Sequence, residues 1–304
     1  MAIYQRAYQG KIDDQQIRKF LSHTYTLTHH PYFFLDLPNW ERTRATFNPK
    51  KQIIQLWELA QHPVKTVVAM ALYEPHHRKL SYLVEPNYGN IDKQILKWAE
   101  HVHGGVNTKT GKKTLLKCAV CEKNERQKAI LTQRGYTKSK MDTVFRKRTL
   151  NEAISRPILP AGYRIKDAQD FSPEILTQRV DVENGVFDRT ITVTFLQELQ
   201  QAPSYRQALD LIVVDPAGRI AAFCTVWFDA TTKVGFVEPI GTVTDYRRQG
   251  LAKALLLEGF QRLQKIGAMF AYLGNNAQNK AGNQLYEFVN MPTFDEECLW
   301  QKEL

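Results

Sequence analysis

One order of elements is written twice along this chain, and that repetition limits what it can fold into. Val-Glu-Pro occurs at residues 84–86 and again at 237–239, an offset of 153. Each copy closes a strand-like stretch, 79–84 and 233–237, and each is followed by a long amphipathic helical pattern, 92–101 and 250–265. An apolar strand comes next in both halves, TLLKCAV and AMFAYLG. An asparagine then opens a second helix: Asn124 before ERQKAILTQRGY and Asn279 before KAGNQLYEF, an offset of 155. Both halves also start alike, with a short strand and a helix in YQRAYQGKIDDQQIRKFL and YRIKDAQDFSPEILTQRV. A single shared tripeptide is chance, but a shared order at matching offsets predicts duplication. Strands alternating with helices predict a mixed α/β unit in each half. At 304 residues the chain also exceeds what one core usually serves. The expected division is 1–150, a linker at 151–161 marked by Pro157 and Pro160, and a second domain at 162–304.

Composition narrows the function classes. Residues 1–14, MAIYQRAYQGKIDD, hold no apolar run, and no stretch reaches the length that spans a bilayer, so a cytoplasmic protein without membrane contact is expected. Four cysteines are too few for a disulfide framework. Cys118 and Cys121 form a lone CxxC with no second pair at zinc-finger spacing, and on a strand they face opposite sides, so no metal is expected. His29–His30, His76–His77 and His101-x-His103 lack a further ligand at a diagnostic spacing and read as surface or loop residues. Residues 1–150 hold 26 Lys and Arg against 12 Asp and Glu, whereas 151–304 hold 15 against 19. The basic surplus reads as a solvated face, with an anionic partner such as nucleic acid as its alternative. The segment HHPYFFLDLPNW, 29–40, reads either as a pocket lining or as a loop covering a core.

The second half carries the chemistry. TVTDYRRQGLAKALLL, 242–257, passes from a strand through a polar turn into an apolar-faced helix, with Gly250 and Ala252 at its start. Small residues there let main-chain N–H groups approach an anion, and the helix terminus adds unpaired donors and a positive dipole end. Arg247 and Arg248 add charge beside that concave turn. By spacing alone the segment reads equally as an ordinary helix start.

Arg247-Arg248-Gln249-Gly250-Leu251-Ala252 resembles the Arg/Gln-x-x-Gly-x-Gly/Ala signature of the GNAT N-acetyltransferases, and Tyr246 and Leu255 to Leu257 fit its flanks. Asn279-Lys280-Ala281-Gly282-Asn283-Gln284-Leu285-Tyr286-Glu287 is similar to the family's Asn-x-Ala-x-x-x-Leu-Tyr-Glu helix, in the right order about 30 residues downstream. The resemblance implies two tandem GNAT-like domains, each a twisted mixed β-sheet flanked by helices. It implies that Arg247, Arg248, Gln249, Gly250, Leu251, Ala252 and Lys253 hold the pyrophosphate of acetyl-coenzyme A. It implies further that Ile240 and Thr242, on a strand splayed at a bulge, pair with the pantetheine arm, that Asn279 contacts the same arm, and that Tyr286 faces the thioester sulfur. Two departures stand out: FVNMPTF replaces the usual Gly-Phe turn after the second helix, and Thr244 stands where proline is common.

Thioester aminolysis requires a neutral amine, a polarised carbonyl and a proton for the departing thiolate. Tyr286 is the expected acid and Glu238, on the splayed strand, the expected base or amine anchor. Cys224, in AAFCTVWF, has no histidine nearby in sequence and reads as core. The first half lacks the arginine signature, keeps only Gly89, and has Leu131 seven residues after Asn124 where the second half has Tyr286. It resembles a degenerate copy. The expected activity is acetyl transfer to the primary amine of a small acceptor, by a monomer or homodimer. The alternative is a non-catalytic acyl-CoA sensor whose basic half binds nucleic acid or an acidic protein.

Overall fold

The computed structural model describes residues 2–30, 37–45, 48, 51–60, 65–105 and 113–304. In chain order the main elements are β1 (Ile3–Ala7), α1 (Asp14–Thr28), α2 (Leu37–Ala45), β2 (Ile53–Ala60), β3 (Lys65–Glu74), β4 (Lys79–Val84), α3 (Ile91–His103), β5 (Leu115–Cys121), α4 (Glu125–Gln133) and β6 (Thr137–Thr149). There follow β7 (Arg164–Asp167), α5 (Pro173–Phe187), α6 (Val193–Leu199), β8 (Asp210–Val214), β9 (Ile220–Asp229), β10 (Val234–Thr242), α7 (Leu251–Lys265), β11 (Phe270–Asn276), α8 (Lys280–Phe288) and β12 (Thr293–Glu303). The chain is a mixed α/β protein, and it divides into two compact units.

The first unit comprises Met1–Trp40, Thr46–Val144 and Asp295–Leu304. Its strands run in the order β1-β2-β3-β4-β5-β12-β6. β4 and β5 pair in parallel; β1–β2, β2–β3, β3–β4 and β12–β5 are antiparallel. Alternation along β4 sends Leu80, Tyr82 and Val84 to one face and Leu83 to the other. The first face receives Ile91, Ile95, Leu96 and Ala99 of α3, which recur at helical spacing, while the second packs with Ile17, Phe20 and Leu21 of α1. Each fully buried aliphatic side chain contributes about 2 kcal/mol.

The second unit comprises Glu41–Ala45 and Phe145–Phe294, with strand order β6-β11-β10-β9-β8-β7. Here β10 and β11 form the parallel pair, and β7, β8, β9 and β10 pair antiparallel in succession. Leu251, Leu255, Leu256, Phe260 and Leu263 of α7 pack on Leu211, Val213, Cys224 and Val226. On the other face Ile175, Val182 and Val186 of α5 cover Ile212, Val214, Ile220 and Phe223.

These boundaries differ from the expected division. The main stretch of the second unit already begins at Phe145. The last ten residues belong to the first unit, because β12 pairs with β5 from Glu297↔Cys121 to Glu303↔Leu115. Glu41–Ala45 belong to the second, where Glu41 accepts the Ser204 amide at 3.0 Å and its hydroxyl as well. The expected linker is irregular backbone but not a free tether. Gln261 Nε2 donates to the carbonyls of Ile154 and Ser155, both at 3.2 Å, and Ile154 and Leu159 pack on the α7 core.

Candidate active site

The site begins where β10 stops behaving as a regular strand. Its parallel register with β11 runs Val234↔Phe270, Gly235↔Ala271 and Phe236↔Tyr272 and ends there. Against β9 the register shifts between Val237 and Ile240, a bulge that spans Glu238 and Pro239. Pro239 has no amide to donate, and the Trp227 indole takes the Glu238 carbonyl at 2.5 Å. Beyond the bulge the Val243 amide bonds Ala221 of β9. Alternation therefore turns the main-chain groups of Gly241 toward β9 and those of Ile240 and Thr242 away, toward the gap left by β11. Gly241 is required here: a Cβ would stand 2.5 Å from the Phe223 ring and 2.9 Å from Val186.

The chain then turns through a 3-10 segment, Thr244–Tyr246, into α7. Arg248 and Gly250 both adopt left-handed backbone, φ 64° and 78°, and the residues between Arg247 and Gly250 are exposed. The Arg247 amide bonds the Thr244 carbonyl, and the first helical bond is Ala254 to Gly250. Among the described residues, no acceptor stands opposite the amides of Arg248, Gln249, Gly250, Leu251, Ala252 and Lys253. Alternating backbone hands with consecutive free amides at a helix start make an anion cradle. No acidic residue lies in the first turn of α7 to fill it. Arg247 Nε reaches the Thr242 carbonyl at 3.3 Å, which ties the turn to the end of β10. The Tyr246 hydroxyl donates to Asp215 at 2.7 Å, and this bond, with Arg219, holds the Asp215 carboxyl down at about 2. Leu251 is buried in the core, so it contributes its amide and not its side chain.

Tyr286, on α8, is 7 % exposed and lies in the same apolar cluster as Cys224, which pairs with Ile240, and Ile240 itself. Its hydroxyl makes no hydrogen bond within the described protein. Burial, then the nearby Cys224 and Glu238, push its phenol well above the usual tyrosine range, while Arg146 opposes them. The group is therefore a proton donor and not a phenolate. Asn279 caps α8, accepting the Gly282 amide at 2.9 Å. Its oxygen thus has a structural task. Glu238 is half-buried and pairs with Arg42 at 2.5 Å. Cys224 is fully buried, and burial drives its thiol upward, so it is a core residue.

Several residues of the site escaped the sequence reading. Arg146 on β6 donates to the Met291 carbonyl and the Asn283 side chain, both at 3.0 Å, and so orients α8. Asn275, buried at the end of β11, donates to Asn283 at 2.9 Å and leaves its own oxygen without a donor among the described residues. Arg42, far away in sequence, had no local signal. Asn275 did: it lies in an Asn pair directly after an apolar strand.

The first unit repeats this geometry with its openings filled. Its parallel pairing stops at Lys79↔Lys117 and Leu80↔Cys118, yet β4 and β3 keep register without a bulge to Ala69↔Val84. Gln127 of α4 donates to the Tyr82 carbonyl at 3.1 Å. Arg126 lies against Gly89, donates to the Pro86 carbonyl at 3.3 Å and pairs with Asp92 at 3.4 Å. Asp92 is fully buried in the first turn of α3, and burial pushes its carboxyl up. The unit thus carries its own anion and cation where the second unit leaves bare amides. Leu131 is buried in the core.

One further cluster lies in the first unit, where the metal-binding groups of His30, Cys121 and Asp295 come within 4.8 Å of one another. His30 Nε2 and Asp295 stand 2.6 Å apart, a hydrogen-bond distance. Two ligands of one tetrahedral zinc are about 3.3 Å apart by the usual bond lengths. Cys118 sits instead in the α3 core, so the CxxC does not act as a pair. Of the aromatic segment, 31–36 lie outside the described residues; Leu37 and Trp40 are buried.

Residues 183–289 match the Acetyltransferase (GNAT) family. No curated protein matches the chain at a significant level. Among solved structures, a tandem GNAT protein from the clavulanic acid biosynthesis pathway is similar over 99 % of this chain and 98 % of its own, at 13 % identity and a TM-score of 0.69. A GCN5-related N-acetyltransferase from Sphaerobacter thermophilus covers 99 % and 95 %, at 19 % identity and 0.62. A GNAT-family acetyltransferase from Colwellia psychrerythraea covers 99 % and 100 %, at 12 % identity and 0.61. The whole chain therefore has the tandem GNAT fold. No described helix is long and apolar enough to cross a membrane.

Proposed function

We infer that the second unit is an acetyl-CoA-dependent N-acetyltransferase acting on the primary amine of a small molecule. The observation that carries this reading is the run of amides from Arg248 to Lys253 that have no partner among the described residues, opening beside a strand pair that separates after Phe236. Those amides, with the Arg247 and Arg248 guanidinium groups and the side chains of Gln249 and Lys253 at the rim, hold the pyrophosphate. The Ile240 and Thr242 main chain and the Asn279 amide nitrogen hold the pantetheine. Bound acetyl-CoA supplies an activated acyl carbon with a thiolate leaving group.

The chain's own groups then position and move protons. An N–H of the splayed strand near Thr242 polarises the acyl oxygen. The amine nitrogen forms a bond to the acyl carbon as the carbon–sulfur bond breaks; the amine's surplus proton passes to Glu238 and the Tyr286 hydroxyl supplies one to sulfur. Alignment of the two substrates lowers the barrier by several kcal/mol without a covalent enzyme intermediate. Free thiol is followed while the protein is incubated with acetyl-CoA and a panel of amines. Amine-dependent thiol release is the expected result. Coenzyme binding without thiol release from any amine would favour an acyl-CoA sensor.

A further inference from the structure

The side of the site that faces α5 is built around guanidinium groups. Arg42 pairs with Glu238 at 2.5 Å. Arg189, just after α5, and Arg179, within it, both pair with the single carboxylate of Glu183. Arg179 lies 3.9 Å over the Phe223 ring, the ring that bars any side chain at Gly241; Arg189 lies 4.9 Å from Phe187, which meets Phe223 edge to face at 5.8 Å. The three cations therefore stand along the same wall as the bulged strand. Arg179 is fully buried, and among the described residues its Nε and Nη2 have no partner, nor has the buried Nε of Arg189. Asp210, the next carboxylate inward, is committed to the hydroxyls of Tyr205 at 2.9 Å and Thr225 at 2.8 Å. Arg189 remains about one-third exposed, and its guanidinium is pushed down to about 10, first by burial and then by Arg42.

We propose that the acceptor carries a carboxylate close to its amine, as an amino acid does, and that Arg189 together with Arg42 receives that carboxylate while Glu238 receives the amine. A bare di- or polyamine brings a second cation to a wall already lined with guanidinium groups. A carboxylate supplies an acceptor oxygen of the kind the Arg189 Nε lacks among the described residues, in the planar geometry that guanidinium matches. By replacing Glu238 as partner of Arg42, it also leaves Glu238 available to the nitrogen.

This rests on the transferase reading, and matched acceptors separate the two. Thiol release is measured at saturating acetyl-CoA with L-lysine, L-phenylalanine and L-tyrosine, each against its amide and its decarboxylated amine. At least one free amino acid is expected to exceed both its partners by about thirtyfold in kcat/KM, a preference of the size that a charge-assisted pair provides. Arg189→Ala is expected to raise the KM of that amino acid about tenfold and leave its amide's KM and the acetyl-CoA Kd unchanged. Arg189→Lys, which keeps a cation beside Glu183, should recover part of the loss. Equal or better turnover of the decarboxylated amines, or equal loss on acid and amide in Arg189→Ala, overturns the inference and leaves the transferase reading standing. Thiol release from neither series, with coenzyme still bound, overturns both.

Discussion

The two units share an order of elements but differ in what fills the space at the ends of their parallel strands. In the second, β10 bulges at Glu238–Pro239, the turn before α7 alternates its backbone hand, and six successive amides, Arg248 to Lys253, meet no acceptor among the described residues. In the first, β4 runs straight, Gln127 occupies the Tyr82 carbonyl, and Arg126 with buried Asp92 occupies the helix start. The same scaffold leaves these amides open in one unit and fills the equivalent space with side chains in the other. The difference resides in a few polar side chains and one bulge, not in the apolar framework.

The largest expected effect removes a group that the first unit lacks. Tyr286→Phe should lower acetyl transfer about 100-fold, the scale of losing an acid catalyst, while the acetyl-CoA Kd changes less than twofold. Because the phenol is raised above its ordinary value of about 10, kcat at saturating acceptor, where the Arg189 contact bears on KM and not on kcat, should not decline as pH passes 10; a decline in kcat there would mean that Tyr286 ionises normally. The converse change, Leu131→Tyr in the first unit, should add no activity to Tyr286→Phe.

A second pair of variants tests the first unit's plug. Arg126→Ala leaves the Asp92 carboxylate buried without its cation, and urea unfolding should report a loss of about 2 kcal/mol, discounted because Arg126 is partly exposed. Asp92 is an acid raised in the folded state, so folding binds a proton in the window above its unfolded value, near 4. Stability of this variant should therefore improve as pH falls from 7 toward 4. A midpoint that did not move with pH would show that the Asp92 carboxyl is not raised in the folded chain.

Smaller effects compare the turns directly. Gly250→Val forces a branched side chain into left-handed backbone, at about 1–2 kcal/mol, and should weaken coenzyme binding about tenfold. Gly89→Val, where backbone is right-handed and the obstacle is the Arg126 side chain, should leave coenzyme binding alone. The mildest is Tyr246→Phe, which frees the turn from Asp215 and should weaken binding about threefold. In the wild type that anchor is present above the unfolded carboxyl value near 4 and is lost as pH falls through about 2.

Much of this comparison was legible in the residues. The repeat showed in its offsets, the anion turn in its small and basic residues, and the missing tyrosine of the first half in Leu131. Each signal is local, resting on periodicity, turn chemistry or helix starts. What stayed hidden depends on pairings across long stretches of chain. Nothing in TFDEECLWQKE says that β12 pairs with β5, because a strand's composition describes its faces and not its neighbour. Nothing near Arg42 says that it meets Glu238, some 200 residues on. Arg126 and Gln127 look like ordinary exposed positions early in α4, and only the fold turns them into a plug. Conversely, the sequence of α8 reads Asn279 as a ligand contact, yet its oxygen caps the helix.

The central claim is that one unit holds coenzyme and the other has filled its own cradle. Titration calorimetry with coenzyme A on the full chain tests it most directly. One molecule per chain is expected, with affinity reduced by Gly250→Val and untouched by Gly89→Val. Two molecules per chain, or a single site that weakens with Gly89→Val and not with Gly250→Val, would contradict it.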